Sequence, residues 1–230
     1  MSIHESLAIL RRAAEAGTVI ITASEPASAE AVRNRETGLK PHFGTVDWTA
    51  PPSYRALLAE HNAFACKRRD VSSDGSVEFV VVDDDAIVEL NSDLVHMPEG
   101  VDRGDGRWLS TNHLVGFALA DADNEAVWCF DVTRPDADGE YPVYYHHYDD
   151  QEGRARHVED GTWEDLADST PDFPTFAAWL DAMTDAFTAP EPPSWFEELG
   201  SLGFYPGVGG GRTGTARSWP AIRASVARHA

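Results

Sequence analysis

The sequence predicts an α+β fold, a mostly antiparallel sheet of about five to six strands with helices packed around it and extensions at both termini. Three observations point there. Residues 113–119, 126–132 and 142–148 are β-branched and aromatic runs joined by short separators rich in Asp, Asn, Gly and Pro, the pattern of an antiparallel meander. Apolar residues recur at helical spacing on either side of that block, over residues 53–66 and 172–187. Of the 230 residues, 42% are hydrophobic and 10% aromatic, with 7 tryptophans, which is enough apolar surface to bury a core.

From the N-terminus, residues 2–16 place Ile3, Leu7, Leu10 and Ala14 on one face and run into Gly17, an amphipathic helix with a glycine stop. Residues 18–22, Thr-Val-Ile-Ile-Thr, predict a short strand. Residues 27–36 read as a polar helix without an apolar stripe, and Pro41, Gly44, Pro51 and Pro52 punctuate a loop. Ser53, after the double proline, is the expected N-cap of a helix over residues 53–66 that carries Tyr54, Leu57, Leu58, His61 and Ala65. Residues 77–82 predict a strand. Asp83, Asp84 and Asp85 follow it at the start of a helix bearing Ile87, Val88, Leu90 and Leu94, where acidic groups satisfy free amides and suit the dipole.

Residues 97–112 read as a loop. In the meander, Val127, Cys129 and Asp131 face one way and Trp128, Phe130 and Val132 the other, so both faces are expected to be covered. Residues 155–159 add an edge strand. Residues 172–187 form a helix with Phe173, Phe176, Trp179, Leu180 and Met183 on one stripe. Pro190, Pro192 and Pro193 mark a boundary, after which residues 194–199 read as a short helical turn, 203–214 as a flexible glycine-rich run and 218–228 as a final helix. The expected organisation is an extension over residues 1–50, a domain over 51–187 and a Pro/Gly-rich extension over 188–230.

The charge is concentrated. The chain carries 39 acidic and 18 basic side chains, a formal charge of -21 and a pI of about 4.6. Residues 1–69 hold 9 basic and 7 acidic groups and residues 186–230 hold 4 and 3, whereas residues 70–185 hold 5 basic and 29 acidic groups. Such a block repels a phosphate backbone and attracts a basic protein, so nucleic acid is not an expected partner. An acidic surface also serves solubility alone. No apolar run reaches membrane-spanning length, and charged residues interrupt the N-terminal pattern where a secretory signal is continuous, so cytoplasmic residence and no membrane partner are the expectation.

Catalytic, cofactor and metal patterns are not evident. Cys66 and Cys129 lack further thiols at zinc spacing and read as small buried hydrophobes. His146 and His147 are adjacent, so in a strand they point to opposite faces. His61 and Cys66 are five apart on the expected helix. Residues 207–213, Gly-Val-Gly-Gly-Gly-Arg-Thr, lack the lysine and spacing of a phosphate loop, and the Asp triplet does not open an EF-hand. No cofactor, metal or catalytic residue is therefore assigned.

Several stretches carry a resemblance. They are Ser53-Tyr54-Arg55-Ala56-Leu57-Leu58-Ala59-Glu60-His61-Asn62, then Leu114-Val115-Gly116-Phe117-Ala118 with Asp123-Asn124, then residues 126–131 and Tyr141-Pro142-Val143-Tyr144. The last is Leu166-Ala167-Asp168-Ser169 leading into Phe173-Pro174-Thr175-Phe176-Ala177-Ala178-Trp179-Leu180. In this order, over residues 51–187, they resemble the SUKH superfamily, named in part after the fungal cell-wall-assembly regulators and widespread as bacterial immunity proteins. The sequence departs from that pattern at Ala50-Pro51-Pro52, at Asn62-Ala63 and at the glycine-poor turn Asp123-Asn124, and residues after Pro190 lie outside it.

The resemblance implies a non-enzymatic domain that binds and neutralises a cognate toxin, often a nuclease. Joined to the acidic block, it makes the expected partner a basic toxin domain. Contact residues are expected among Asp83, Asp84, Asp85, Asp149, Asp150 and Glu152, with Tyr144, Tyr145 and Tyr148 as aromatic anchors. A regulatory scaffold binding a housekeeping protein of its own cell is the alternative, and an enzyme with an unrecognised site the third.

Overall fold

The computed structural model describes residues 1–40, 48–69, 77–95, 101–102, 108–109, 114–120, 126–148, 171–193, 195–196 and 199. The fold is α+β, built on one six-stranded sheet. Its strands are β1 (Val19–Ala23), β2 (Phe64–Arg68), β3 (Glu78–Val81), β6 (Leu114–Leu119), β7 (Ala126–Asp131) and β8 (Val143–His147), in the order β1-β2-β3-β6-β7-β8 with every neighbour antiparallel. β4 (Val101–Asp102) and β5 (Trp108–Leu109) form a separate two-stranded sheet within the stretch expected to be a loop. The helices are α1 (Ile3–Glu15), α2 (Ala29–Gly38), α3 (Pro52–Leu58), α4 (Ala86–Leu90), which runs on into a π-helical turn (Asn91–Val95), and α5 (Phe176–Thr188).

Local chemistry sets the ends of α1. Ser2 and Glu5 form a reciprocal capping box. At the other end Gly17, at φ +81°, closes a Schellman turn in which Gly17 N–H donates to Ala14 O and Thr18 N–H to Ala13 O. β1 follows directly. Residues 1–50, expected as an extension, thus supply an edge strand of the main sheet as well as α1 and α2, whose Leu7, Leu10, Ala31 and Leu39 are buried.

Two expected helices start or stop elsewhere. The helix expected over residues 53–66 ends at Leu58, and Cys66 lies on β2. Tertiary pairing overrides the helical spacing here. The turn after α3 is held by Asn62 N–H to Glu25 O (2.8 Å) and Ala63 N–H to Ser24 Oγ (2.7 Å), and residues 64–68 gain partners on both sides in β1 and β3. Ser53 is not the N-cap. Pro51 occupies that position, while Ser53 donates its N–H (2.7 Å) and hydroxyl (2.6 Å) to the Glu140 carboxylate. The helix expected to start at residue 172 starts at Phe176, capped by Thr175. Asp172 and Phe173 instead extend the sheet, with Phe173 bridged to Val143 and the Asp172 carboxylate accepting from Tyr145 N–H at 2.6 Å. The strand expected over residues 155–159, the glycine-rich run and the final helix lie outside the described residues.

The face of the sheet lined by Phe79, Phe117, Trp128 and Phe130 meets α3 and α5 through aromatic rings. Phe117 stacks on Phe130 at 4.2 Å, Trp179 stands perpendicular to Phe117 at 5.1 Å, and Tyr54 meets Phe176 edge-on at 5.1 Å. α1 packs across α5. Two buried arginines tie the helices to the strands. Arg35 of α2, 0% exposed, donates to Tyr54 Oη (3.0 Å), Val82 O (2.8 Å), and both Asn62 O and Asn62 Oδ1. Arg68 of β2 donates to the last carbonyls of α5, including Ala189 O at 2.6 Å, where a cation also suits the dipole. Beyond the proline boundary, Trp195, Phe196 and Leu199 are buried, with Phe196 edge-on to Phe187 at 4.8 Å.

On the opposite face α4 and the π-helical turn lie over β6 and β7. Asn91, fully buried, replaces a strand neighbour there. Its Nδ2 donates to Gly116 O (2.9 Å) and Ile87 O (2.8 Å), and Gly116 N–H donates to its Oδ1 (2.8 Å). A Cβ at position 116 would lie 2.8 Å from Val127 and 2.9 Å from Val95, so only glycine admits so close an approach, and the register of β6 on β7 shifts at this point.

Gly116→Ala should lower unfolding free energy by about 1–3 kcal/mol, read as a shifted denaturant midpoint at unchanged m-value. A change within a few tenths of a kcal/mol would mean that the helix does not press on the sheet there. Burial pushes the Cys66 thiol pKa up to about 12. Iodoacetamide at pH 8 should therefore leave Cys66 unmodified in the folded protein and modify it rapidly in denaturant.

Candidate interaction surface

The Asp83–Asp85 turn leaves the end of β3 and starts α4. Asp83 Oδ1 accepts from Ala86 N–H at 2.8 Å, the helix-starting role read from the sequence. Asp84 is bound from behind, accepting from Asn62 Nδ2 (2.8 Å) and Asn34 Nδ2 (3.2 Å). Burial alone would raise its pKa. The two amide bonds, a backbone hydrogen bond and the nearby Arg35 charge outweigh that effect and hold the carboxyl below its usual range. Asp85 is exposed.

The expected tyrosine anchors are core side chains in this structure. Tyr144 (3% exposed) and Tyr145 (1%) alternate across β8, with Tyr145 edge-on to Trp128 at 5.1 Å. Strand alternation in a sheet closed on both faces leaves neither ring at the surface. Tyr148 is half-buried just past β8, and Asp149, Asp150 and Glu152 lie outside the described residues. The pairing register also separates the expected groups. β3 and β8 run in opposite directions, so the chain carries Asp83–Asp85 and Tyr148 away from the sheet in opposite directions.

A different grouping emerges on the outer face. Asp85, Glu89 and Asp93, all exposed, follow one another at four-residue spacing along α4 and the π-helical turn. Ala86, Leu90 and Leu94 form a parallel apolar stripe at the same spacing. With Val82 and Leu119 this stripe lines an open depression of about 280 Å³, rimmed by Glu89 and Asp93. The π-helical turn is held at its start by the Asn91 clamp and at its end by the contact of Leu94 O with His146 Nε2 (2.9 Å). Wide turns of this kind recur where a helix re-aims side chains at functional sites. Glu89 and Asp93 were not singled out from the sequence. Their signal was the i, i+4, i+8 spacing with Asp85 along the helix expected over this segment.

Among the described residues no three His, Cys, Asp or Glu side chains converge as a metal site, and no helix is long and apolar enough to cross a membrane. His146 and His147 are buried, on opposite faces of β8.

Because the folded pKa of Asp84 is depressed, its stabilisation is present in full above the unfolded carboxylate value of about 3.9 and is lost as pH falls through the folded value. Between pH 5 and pH 2.5 the wild-type protein should lose more unfolding free energy than Asp84→Asn, measured by denaturant titration at each pH. Equal losses would remove Asp84 from the account. Compared with protein-family models, with curated proteins and with solved structures, the chain matches none of them.

Proposed function

We propose that this protein is a non-enzymatic binder that captures a basic protein, most simply a cognate toxin domain such as a nuclease, on the acidic face of α4 and the π-helical turn. One observation carries the reading. The exposed stripe Asp85, Glu89, Asp93 runs beside the apolar stripe Ala86, Leu90, Leu94 and its depression, within a block that holds 29 acidic and 5 basic side chains. Carboxylates steer a basic partner to the surface and the apolar floor supplies desolvated contact once it has docked. Electrostatic steering raises association rates by about 10–1000-fold, which suits an inhibitor that must act before its target does. The ordered resemblance of residues 51–187 to the SUKH superfamily supports the immunity form of this reading.

The test is capture of products of neighbouring genes by the purified protein at about 50 and 500 mM salt. One basic partner should be retained, less at the higher salt, and Asp85→Lys/Glu89→Lys/Asp93→Lys should weaken it by about 10–100-fold through a slower on-rate. Unchanged affinity in the triple variant would take the site off this face. Retention of a housekeeping protein in place of any basic partner would establish the scaffold role instead.

A further inference from the structure

The sheet face that α4 closes is covered over β6 and β7 and, among the described residues, open over β1, β2 and β3. On that open half Thr22, Ala65, Val80 and Leu119 pair in one row across β1, β2, β3 and β6, and paired residues share a side. Thr22 is exposed, the other three are half-buried, and Ile20, one pleat along β1, is 42% exposed. The row runs into the depression of about 280 Å³, where Val82 and Leu90 lie deep and Ala86, Leu94 and Leu119 are half-buried. That volume falls short of the roughly 300–1,000 Å³ of small-ligand sites and suits one large side chain. The row spans three strand spacings, about 14 Å, and a helix of eleven residues is about 16 Å long.

The occupant is in the chain itself. Two segments of more than ten residues fall outside the described ones, 149–170 and 200–230. The first holds eight acidic and two basic side chains, so Glu89 and Asp93 at the rim of the depression repel it. The second holds Arg212, Arg217, Arg223 and Arg228 and no acidic side chain. Within it Trp219, Ile222 and Val226 recur at i, i+3 and i+7, the apolar stripe of a helix with Pro220 in its first turn, and Arg223 borders the stripe one turn from Trp219. We propose that residues 218–228 dock in cis on the open half-face beside α4 as an amphipathic basic helix, with Trp219 entering the depression and Arg223 meeting Glu89 and Asp93.

The reach is sufficient. Phe196 lies against Phe187 and the Arg68 guanidinium of β2, so the segment sets out from the β1–β3 half of the sheet, on the other face. Residues 200–217, eighteen in all with seven glycines, separate that point from Ser218. A glycine-rich chain of eighteen residues has a root-mean-square span of about 21–25 Å, and crossing the sheet from one helix layer to the other takes about 20 Å. A tether of this kind holds the helix at an effective concentration of millimolar order, so a weak contact is occupied. Lys67 lies beyond Ala65, away from the depression, and stands opposite Glu78, so the carboxylates of α4 set the sign of the charge the helix meets. The contact shares its face with the proposed basic partner but does not rest on that reading; a partner docking there would displace a basic helix of the chain's own.

Amide exchange on the full chain at about 5 and 100 μM reads the contact. The amides of residues 221–228 should exchange at least about tenfold more slowly than unfolded-chain rates, equally at both concentrations. Trp219→Ala, at a position outside the described fold, should return them to unfolded-chain rates, and raising salt from about 50 to 500 mM should lower the protection. Glu89→Lys should lower it about three- to fivefold, and adding Arg223→Glu should restore it. Unprotected amides in the unaltered chain, protection indifferent to Glu89→Lys, which would place the helix on another surface, or protection that grows with concentration, which would place it on a second copy, would each overturn the proposal. Every readout is taken on the purified chain alone, so the capture of a basic partner stands or falls separately.

Discussion

β6, β7 and β8 bear apolar or aromatic side chains on both faces, and burial runs without a break along β7 and β8. Every face must therefore be closed by a helix, since an open one would leave Phe117, Trp128 and Phe130, or Val127, Cys129 and Tyr144, in water. Each large side chain of this set contributes about 1.5–3 kcal/mol by being buried. α3 and α5 close the first face with interlocking rings. The second is closed by α4 and its π-helical turn, which reach the sheet only because position 116 has no Cβ and because Asn91 satisfies the backbone groups they cover.

The covering is partial, and the rest of the surface follows from that. α4 and the π-helical turn lie over β6 and β7 and leave the β1–β3 half of the same face half-exposed. At the boundary between the covered and open halves lies the depression between Leu90, Leu94 and Leu119. The segment that closes the core thus also displays the acidic stripe. Surface charge and packing for the fold share one short stretch, with side chains at positions 87, 91 and 95 turned inward and those at 85, 89 and 93 turned outward.

The two buried arginines solve a different problem. A guanidinium out of water is stabilised by the acceptors its donors reach, and the Nη1 and Nη2 groups of Arg35 meet a carbonyl at the end of β3, the Asn62 turn and the Tyr54 hydroxyl, with Nε the one donor left without a partner among the described residues. It locks the position of α2 against the start of α4, with Asn62 passing the connection on to Asp84. Arg68 does the same for the C-terminus of α5. The two ends of the sheet order are electrostatically unlike as a result of chain order alone: β1 comes from the near-neutral N-terminal residues and β8 from the acidic block.

The α+β class, α1 with its Ser2 cap and Gly17 stop, the strand before the Asp triplet and the antiparallel meander were legible because each rests on local pattern: capping residues, period-two alternation and short separators. So was the burial of Cys66 and Cys129. The end of α3 was not, because His61 and Ala65 continue the helical spacing of Tyr54, Leu57 and Leu58, and only pairing with β1 and β3 makes residues 64–68 a strand. Nor was the placing of Tyr144 and Tyr145, whose burial depends on which helices close each face of β8. By itself the sequence determined those helices and strands that rest on local pattern and where the charge lies along the chain. The tertiary structure alone decided which side chains are covered and which stay at the surface, because Tyr144, Tyr145 and the inward positions 87, 91 and 95 are buried only through sheet register and helix docking.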